Sequence, residues 1–484
     1  MAARTLPPMP ACALLALIAL GACGGGSPTV SLDREALTDP ETCKTCHPAA
    51  YREWSGSMHA YAADDPVFRA MNQRAQRETD GALGDFCVKC HAPMAVQEGL
   101  TPDGMNLDTL PQKMKGVTCY FCHAAESVDG THNNPLTLAK DDSLFGPFAD
   151  PASGTPHKGI YSRLLDGATL ESAAMCGSCH DIQNLQGAHV ERTFEEWQGT
   201  LFSALPNGQG CADCHMKSSD GPASTVSTKV RRLHAHGFPA VDLAVTQFPE
   251  METQKMLSQQ LLDDVIQPTL CLDTLTNNLE LTLENVTAGH SWPSGATPDR
   301  RAWVELTAYA GGAVIYSSGG PSASPLEGST DPDLWLIRDC LFDDGGKETR
   351  MFWEATTTAG NAVPGSVIQN VNNPTSFNKS HPKKRYPAAG MLPMMPDHIT
   401  VKIHLQAIGA DVLADLVASQ DLDPAIPAKI ARYELGGAAA LDWTPATATP
   451  RVDPVTSDPL LCVVKPITYR TNTVPAVSNA HCVP

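Results

Sequence analysis

The spacing of apolar residues changes character about halfway along the chain. From about residue 42 to 245, apolar positions recur at helical spacing in short runs broken by Gly, Pro and Asp, which predicts short helices joined by irregular segments. Residues 250–264 carry a longer helical pattern, expected as a connecting helix. From Leu272 the period shortens to two. Leu279, Leu281 and Leu283 alternate with polar residues, and Ile399, Val401, Ile403 and Leu405 alternate with Thr400, Lys402 and His404, the signature of strands with one buried face. Trp303 to Ala310, Ala313 to Ser317 and Trp335 to Phe342 add strands. Asp343-Asp344-Gly345-Gly346 reads as a hairpin turn leading to Met351-Phe352-Trp353. Residues 410–418 and 424–435 read as short helices, and the Pro- and Thr-rich stretch after Trp443 as irregular. The expected fold is multidomain: a mostly helical and irregular domain (42–245), a connecting segment (246–270), an all-β sandwich-like domain (271–443) and an irregular tail (444–484).

The first domain carries a strong chemical signal. Cys-x-x-Cys-His occurs five times, at Cys43/Cys46/His47, Cys87/Cys90/His91, Cys119/Cys122/His123, Cys176/Cys179/His180 and Cys211/Cys214/His215. With 16 Cys and 16 His in 484 residues, random order gives about 0.02 such motifs. Two cysteines one helical turn apart reach the two vinyl groups on one haem edge, and the following His is set under the iron, so each motif reads as a covalent haem c site. Zinc is the competing reading of Cys-x-x-Cys, but it takes four tetrahedral ligands and pairs its motifs, whereas here their number is odd and each ends in His. Five covalent haems c are therefore expected, and their macrocycles supply apolar surface that the short helices lack.

Six further histidines in that domain stand as candidates for the distal side of the five irons: His59, His132, His157, His189, His234 and His236. His290, at the start of the β domain, is a seventh. Met58, Met94 and Met216 are other potential ligands, with packing as their ordinary role. Eleven of the 16 histidines fall between residues 42 and 245, so the surplus tracks the motifs. A haem with two protein ligands carries electrons, whereas an open one binds and transforms a small molecule. No nucleophile–base arrangement or metal cluster marks the β domain as catalytic.

The N-terminus fits the compartment that haem c requires. Arg4 precedes the apolar run 13–20, too short to span a bilayer, and Leu20-Gly21-Ala22-Cys23 matches a bacterial lipobox. Residues 1–22 are expected to be a signal peptide and 23–41 a flexible tether, with a lipid anchor at Cys23 and a location in the periplasm or at the outer membrane; an ordinary signal peptide is the alternative. Cys12 lies in the signal core, so four cysteines remain: Cys271, Cys340, Cys462 and Cys482. In an exported protein they suggest two disulfides, with three connectivities open. The net charge of −19 argues against nucleic acid or anionic lipid as partners and leaves redox proteins as the expected ones.

The stretch 43–60, CKTCHPAAYREWSGSMHA, resembles the multihaem cytochromes c related to the tetrahaem electron acceptor of hydroxylamine oxidoreductase. Residues 116–123 (GVTCYFCH), 172–181 (SAAMCGSCHD), 192–197 (RTFEEW) and 211–216 (CADCHM) are similar to members of the same family. The resemblance implies electron transfer, with His59 as a distal ligand to a haem other than its nearest. It also puts His157, ahead of Tyr161, and the pair His234/His236 where relatives place distal histidines, and His132 where relatives carry one past the third motif. Residues 289–303 (GHSWPSGATPDRRAW) and 335–344 (WLIRDCLFDD) resemble the β domain of multihaem lipoproteins. In the first of these His290 stands in a loop with reach toward a haem, and Arg300 and Arg301 are candidates for haem propionates or for carboxylates. Pentahaem nitrite reductases carry Lys in one motif, and no Cys-x-x-Cys-Lys occurs here, which favours an electron carrier over a multihaem oxidoreductase acting on a small nitrogen or sulfur compound.

Overall fold

Short helical turns present the five motifs, and the turns are fixed locally. In the computed structural model, which describes residues 31–151, 155–204, 208–320, 329–368, 377–378, 381–437 and 439–464, the second, third and fifth motifs lie on Val88–His91, Cys119–His123 and Cys211–His215, while Pro40–Lys44 and Ala173–Gly177 begin the first and fourth. The motif histidine donates its amide to the carbonyl of the first cysteine, from His47 to Cys43 at 2.8 Å and from His180 to Cys176 at 3.0 Å. That bond holds both cysteines and the histidine on one turn. Thr118 caps the third turn, its hydroxyl accepting from Phe121 N, and Asp213 reaches back to Gly210 N in the fifth. Between the turns, Pro66–Glu78 is the longest helix of this half, started by Asp65 as N-cap and Pro66 in its first turn. It buries Val67 and Ala70 against Leu413 and Leu416 of the helix Ala410–Ala418, so the two halves of the chain share an apolar seam.

Two antiparallel sheets make up the second half. One runs in the order 383–386, 278–285, 266–273, 459–464, 449–452; the other runs 313–318, 301–310, 398–406, 432–434, with 335–337 also on 301–310 and 441–443 also on 398–406. Alternation does what its period requires. Leu270, Leu272, Leu279, Leu281 and Leu283 from one sheet and Ala302, Val304, Leu306, Ile399, Val401, Ile403 and Leu405 from the other join one core with Trp335, Trp443 and Tyr386. Each fully buried Leu contributes roughly 2 kcal/mol of transfer free energy.

Several expectations are corrected. The helix Pro40–Lys44 ends two residues before Cys46, because Pro48 opens a new helix, Pro48–Ser55, immediately after His47, but the turn that carries Cys43 and Cys46 is kept. Cys46 is instead held by its backbone, its amide donating to Cys43 O at 3.2 Å and its carbonyl accepting from Thr225 N at 2.8 Å. The stretch 424–435 is not a helix: a single 3-10 turn, Pro427–Lys429, leads into the strand Arg432–Glu434, because Tyr433 and Leu435 point into the sheet core at alternate positions. Trp335 to Phe342 breaks at Arg338 into two strands, the second pairing with 348–349 and 357–360. Phe352–Glu354 is a 3-10 turn. The strand expected from 271 begins at Ile266, and the segment after Trp443 is ordered as Thr449–Val452 and Pro459–Val464, the latter lying between two other strands. Within the expected tether, Arg34–Leu37 is helical and Leu37 is buried. Cys271 and Cys462 face each other in register and form a disulfide, and Cys340 is disulfide-bonded as well. The signal peptide, Cys23 and Cys482 lie outside the described residues. Among the described residues no helix is long and apolar enough to cross a membrane.

Candidate haem centres

Three motif histidines stand opposite a second histidine at nearly one spacing. Ring centroids are 6.3 Å apart for His47 and His157, 6.2 Å for His180 and His59, and 6.4 Å for His123 and His236. Two imidazoles on opposite sides of one metal ion, each nitrogen about 2 Å from it and about 1 Å from its own ring centre, stand about 6 Å apart. The gap is too wide for a hydrogen bond and matches an iron between the rings. The buried Nδ1 atoms of His157 and His236 have no hydrogen-bond partner among the described residues.

The other ring nitrogen of each motif histidine is committed. Nδ1 of His47 donates to Ala223 O at 2.7 Å, that of His123 to Phe145 O at 2.8 Å, that of His215 to Pro239 O at 2.8 Å and that of His91 to Ala62 O at 3.1 Å. His180 differs, donating to a carboxylate, Glu191 Oε1, at 2.9 Å. These bonds select the tautomer that leaves Nε2 for a metal. Burial holds His91, His123 and His157 below the usual imidazole value and brings His215 and His236 to about 4; burial and then the charge of His180 bring His59 to about 3. Neutral imidazole is the form that ligates. For His180 burial works the same way, but the hydrogen bond and charge of Glu191 outweigh it and raise the group to about 9.

The second and fifth motif histidines have different surroundings. His215 lines a cavity of ≈ 260 Å³ with Cys214, Gly237, Pro239 and Leu257, and the cationic Arg52 and Lys217 line it too. His290 is close enough to lower the pKa of His215, and its own Nδ1 is bonded to Ser291 O at 2.7 Å. His91 is stacked face to face on Phe68 at 3.8 Å, and among the described residues no histidine ring opposes it at the spacing of the three pairs.

Not every histidine candidate faces a motif. His132 is bonded to its neighbour Thr131, and His189 lies 3.8 Å from Asp181 and 3.6 Å from Glu195. His234 donates from Nδ1 to Met216 O and packs its Nε2 edge on Gly167, where an added Cβ would stand 2.8 Å away. Met94 is a core residue. Arg300 pairs with Asp242 at 2.8 and 2.7 Å and Arg301 with Asp411 at 2.9 and 3.0 Å, so both join carboxylates. Sequence reasoning missed Glu191 and Phe68; neither has a fixed offset from a motif that would have marked it.

The motifs form one connected array. None of the ten motif cysteines, Cys43, Cys46, Cys87, Cys90, Cys119, Cys122, Cys176, Cys179, Cys211 and Cys214, is used in a disulfide among the described residues. The sulfur of Cys43 adjoins that of Cys119, Cys90 that of Cys179, and Cys176 that of Cys211, while Cys122 lies within electrostatic reach of Cys176 and Cys179. The fourth motif therefore adjoins the second, third and fifth, and the third adjoins the first.

Repeated Cys-x-x-Cys-His motifs, three facing histidine pairs and contiguous motif cysteines are features that fit a multihaem c-type cytochrome. Residues 42–124, which hold the first three motifs, match the family model described as cytochrome c554 and c-prime. The fold is similar to the crystal structure of a penta-heme cytochrome c552 from Thermochromatium tepidum, at a TM-score of 0.54 and 20% identity, over 86% of this chain and 100% of that one. No curated protein matches. The family match supports haem c chemistry in residues 42–124, and the structural likeness shows a shared fold.

Proposed function

We propose that this protein is a pentahaem c-type cytochrome that transfers electrons in the bacterial cell envelope, anchored by lipid at Cys23 and passing charge between a donor and an acceptor protein. The observation that carries the reading is the set of three histidine pairs at 6.2–6.4 Å, which supports His157, His236 and His59 as distal ligands to the haems of the first, third and fourth motifs. His290 is the partner we assign to the fifth. Cysteines of different motifs in contact support closely spaced haem edges, the requirement for electrons to cross from one macrocycle to the next. Haem supplies the redox chemistry; the chain would hold it by thioethers, imidazoles and an apolar surround.

A second reading rests on His91, which has no facing histidine among the described residues. In that reading the second haem is open on its distal side and reduces or oxidises a small nitrogen or sulfur compound. Low-temperature electron paramagnetic resonance of the oxidised protein, with haem counted as pyridine haemochrome, separates the two. Five low-spin haems support the pure carrier. Four low-spin haems and one high-spin haem that binds nitrite or hydroxylamine support the open site, and fewer than five haems overturn the pentahaem reading.

A further inference from the structure

We propose that Glu191 makes the haem attached at Cys176 and Cys179 the lowest-potential centre of the array, by setting a carboxylate on Nδ1 of its proximal ligand His180. The inference rests on the pentahaem reading and adds an order of potentials to it. Four of the five motif histidines donate Nδ1 to a backbone carbonyl, and only His180 donates to a charged acceptor. A carboxylate on that proton increases electron donation from the opposite nitrogen and places negative charge beside the iron, which stabilises ferric over ferrous haem.

Glu191 is held for that task. Its side chain is only 12% exposed, and it sits in the strand His189–Glu191, in register with Ile182. The neighbouring Val190 is buried in a cluster with Leu341 and Ala355 of the β domain, which fixes the strand from the other side. Arg300 is within electrostatic reach of Glu191, but its guanidinium is bound to Asp242 through two nitrogens and to Ala407 O, and among the described residues no ion pair to Glu191 competes with His180. On the far side of the pair, His59 packs on Phe238 at 4.5 Å, an uncharged neighbour. Glu191 itself is largely buried although His180 is half exposed, so its charge is screened less than that of a surface carboxylate.

Because the fourth motif adjoins the second, third and fifth, the lowest potential falls at the junction of the array. Electrons then rest on the flanking haems and cross the junction only transiently, so the centre sets the rate of passage from one side to the other.

The test is a spectroelectrochemical titration of the full chain with Glu191→Gln, Glu191→Asp and, as a control, the exposed Glu195→Gln. In Glu191→Gln the lowest midpoint moves upward and the other four stay; in Glu191→Asp it moves in the same direction and by less; Glu195→Gln leaves it in place. A lowest midpoint that does not move at full haem content, or movement of a different one, overturns the proposal. If Glu191→Gln loses haem, an unmoved lowest midpoint in fully loaded Glu191→Asp overturns it. Pyridine haemochrome run on the same samples keeps the two readings apart, since fewer than five haems in the parent protein refutes the pentahaem assignment instead.

Discussion

Replacing Cys271 and Cys462 by Ser removes a crosslink between residues 191 apart in sequence. The disulfide joins the first strand of its sheet, Ile266–Asp273, to Pro459–Val464, which enters the sheet after the rest of the β domain has been laid down. In the reduced chain, closing a loop of that length is an entropic cost borne on folding; the chain-entropy relation puts it at about 5 kcal/mol, with about 2–4 kcal/mol usual for native disulfides. Strand pairing from Leu460 to Val464 remains, so the loss is partial rather than complete. Urea unfolding of the double variant, followed by far-UV circular dichroism for the sheets and by the Soret band for the haem sites, measures it. The expected result is a fall of about 2–5 kcal/mol in the sheet transition. A fall below about 1 kcal/mol would refute the reasoning, because it would mean that Pro459–Val464 is already held near Ile266–Asp273 before the sheet forms.

Other perturbations test the site and the seam between domains. His59→Leu, His157→Leu and His236→Leu are each expected to convert one low-spin haem into a high-spin one, read by electron paramagnetic resonance at unchanged haem content; an unchanged spectrum excludes that residue as a ligand. Arg300→Met leaves Asp242 without its partner and is expected to cost about 2 kcal/mol, since Asp242 is partly exposed, in thermal unfolding of the whole chain. Asn184→Ala removes two donated bonds of 2.7 Å to Phe352 O and Ala355 O, at a cost of roughly 2–3 kcal/mol by the same assay. Asp299 is buried, and burial raises its carboxyl from 3.8 to about 7 against the pull of Arg301 and Arg300. The folded state thus binds the proton more tightly than the unfolded one, and stability is lost as pH rises from about 4 to 7 and is constant above. Asp299→Asn should flatten that window and, at pH 8, stabilise by at most about 4 kcal/mol; equal stability of variant and parent at pH 8 refutes the burial argument.

How far the sequence could be read depended on whether the signal was local. Cys-x-x-Cys-His spans five consecutive residues, so all five motifs are legible from residue order alone, and the period-two runs at 279–283 and 399–405 predicted two buried faces that the sheets do share. Pairing is not local. Nothing near His59 says that it will face His180, 121 positions on, because that meeting is set by how the second and fourth motifs pack through Cys90 and Cys179. The same applies to Glu191, whose contact with His180 comes from a short hairpin too brief for any periodicity. The stretch 424–435 misled because Pro424, Ala425 and Ile426 open like a helix, while Tyr433 and Leu435, two apart, were the strand signal.

The β domain is more than an appendage, because its loops meet the elements just upstream of the fifth motif. Ser294 Oγ donates to Glu196 Oε2 at 2.8 Å and lies 2.9 Å from Thr193 Oγ1, and Thr200 Oγ1 donates to Gly289 O at 3.0 Å. These contacts bracket His290 between the helix Thr193–Gln198 and the turn Leu201–Ser203, upstream of the fifth motif. On the other side of the same motif, Gln254 of the helix Met251–Leu262 donates to Gly237 O and lines the cavity at His215. The placing of His290, the distal ligand we propose for the fifth motif, depends on the seam between the two halves, which includes ion pairs such as Arg300 with Asp242. Loosening it is expected to disturb the surroundings of the fifth motif first and to leave the His47–His157 and His123–His236 pairs, which lie wholly within residues 42–245, as they are.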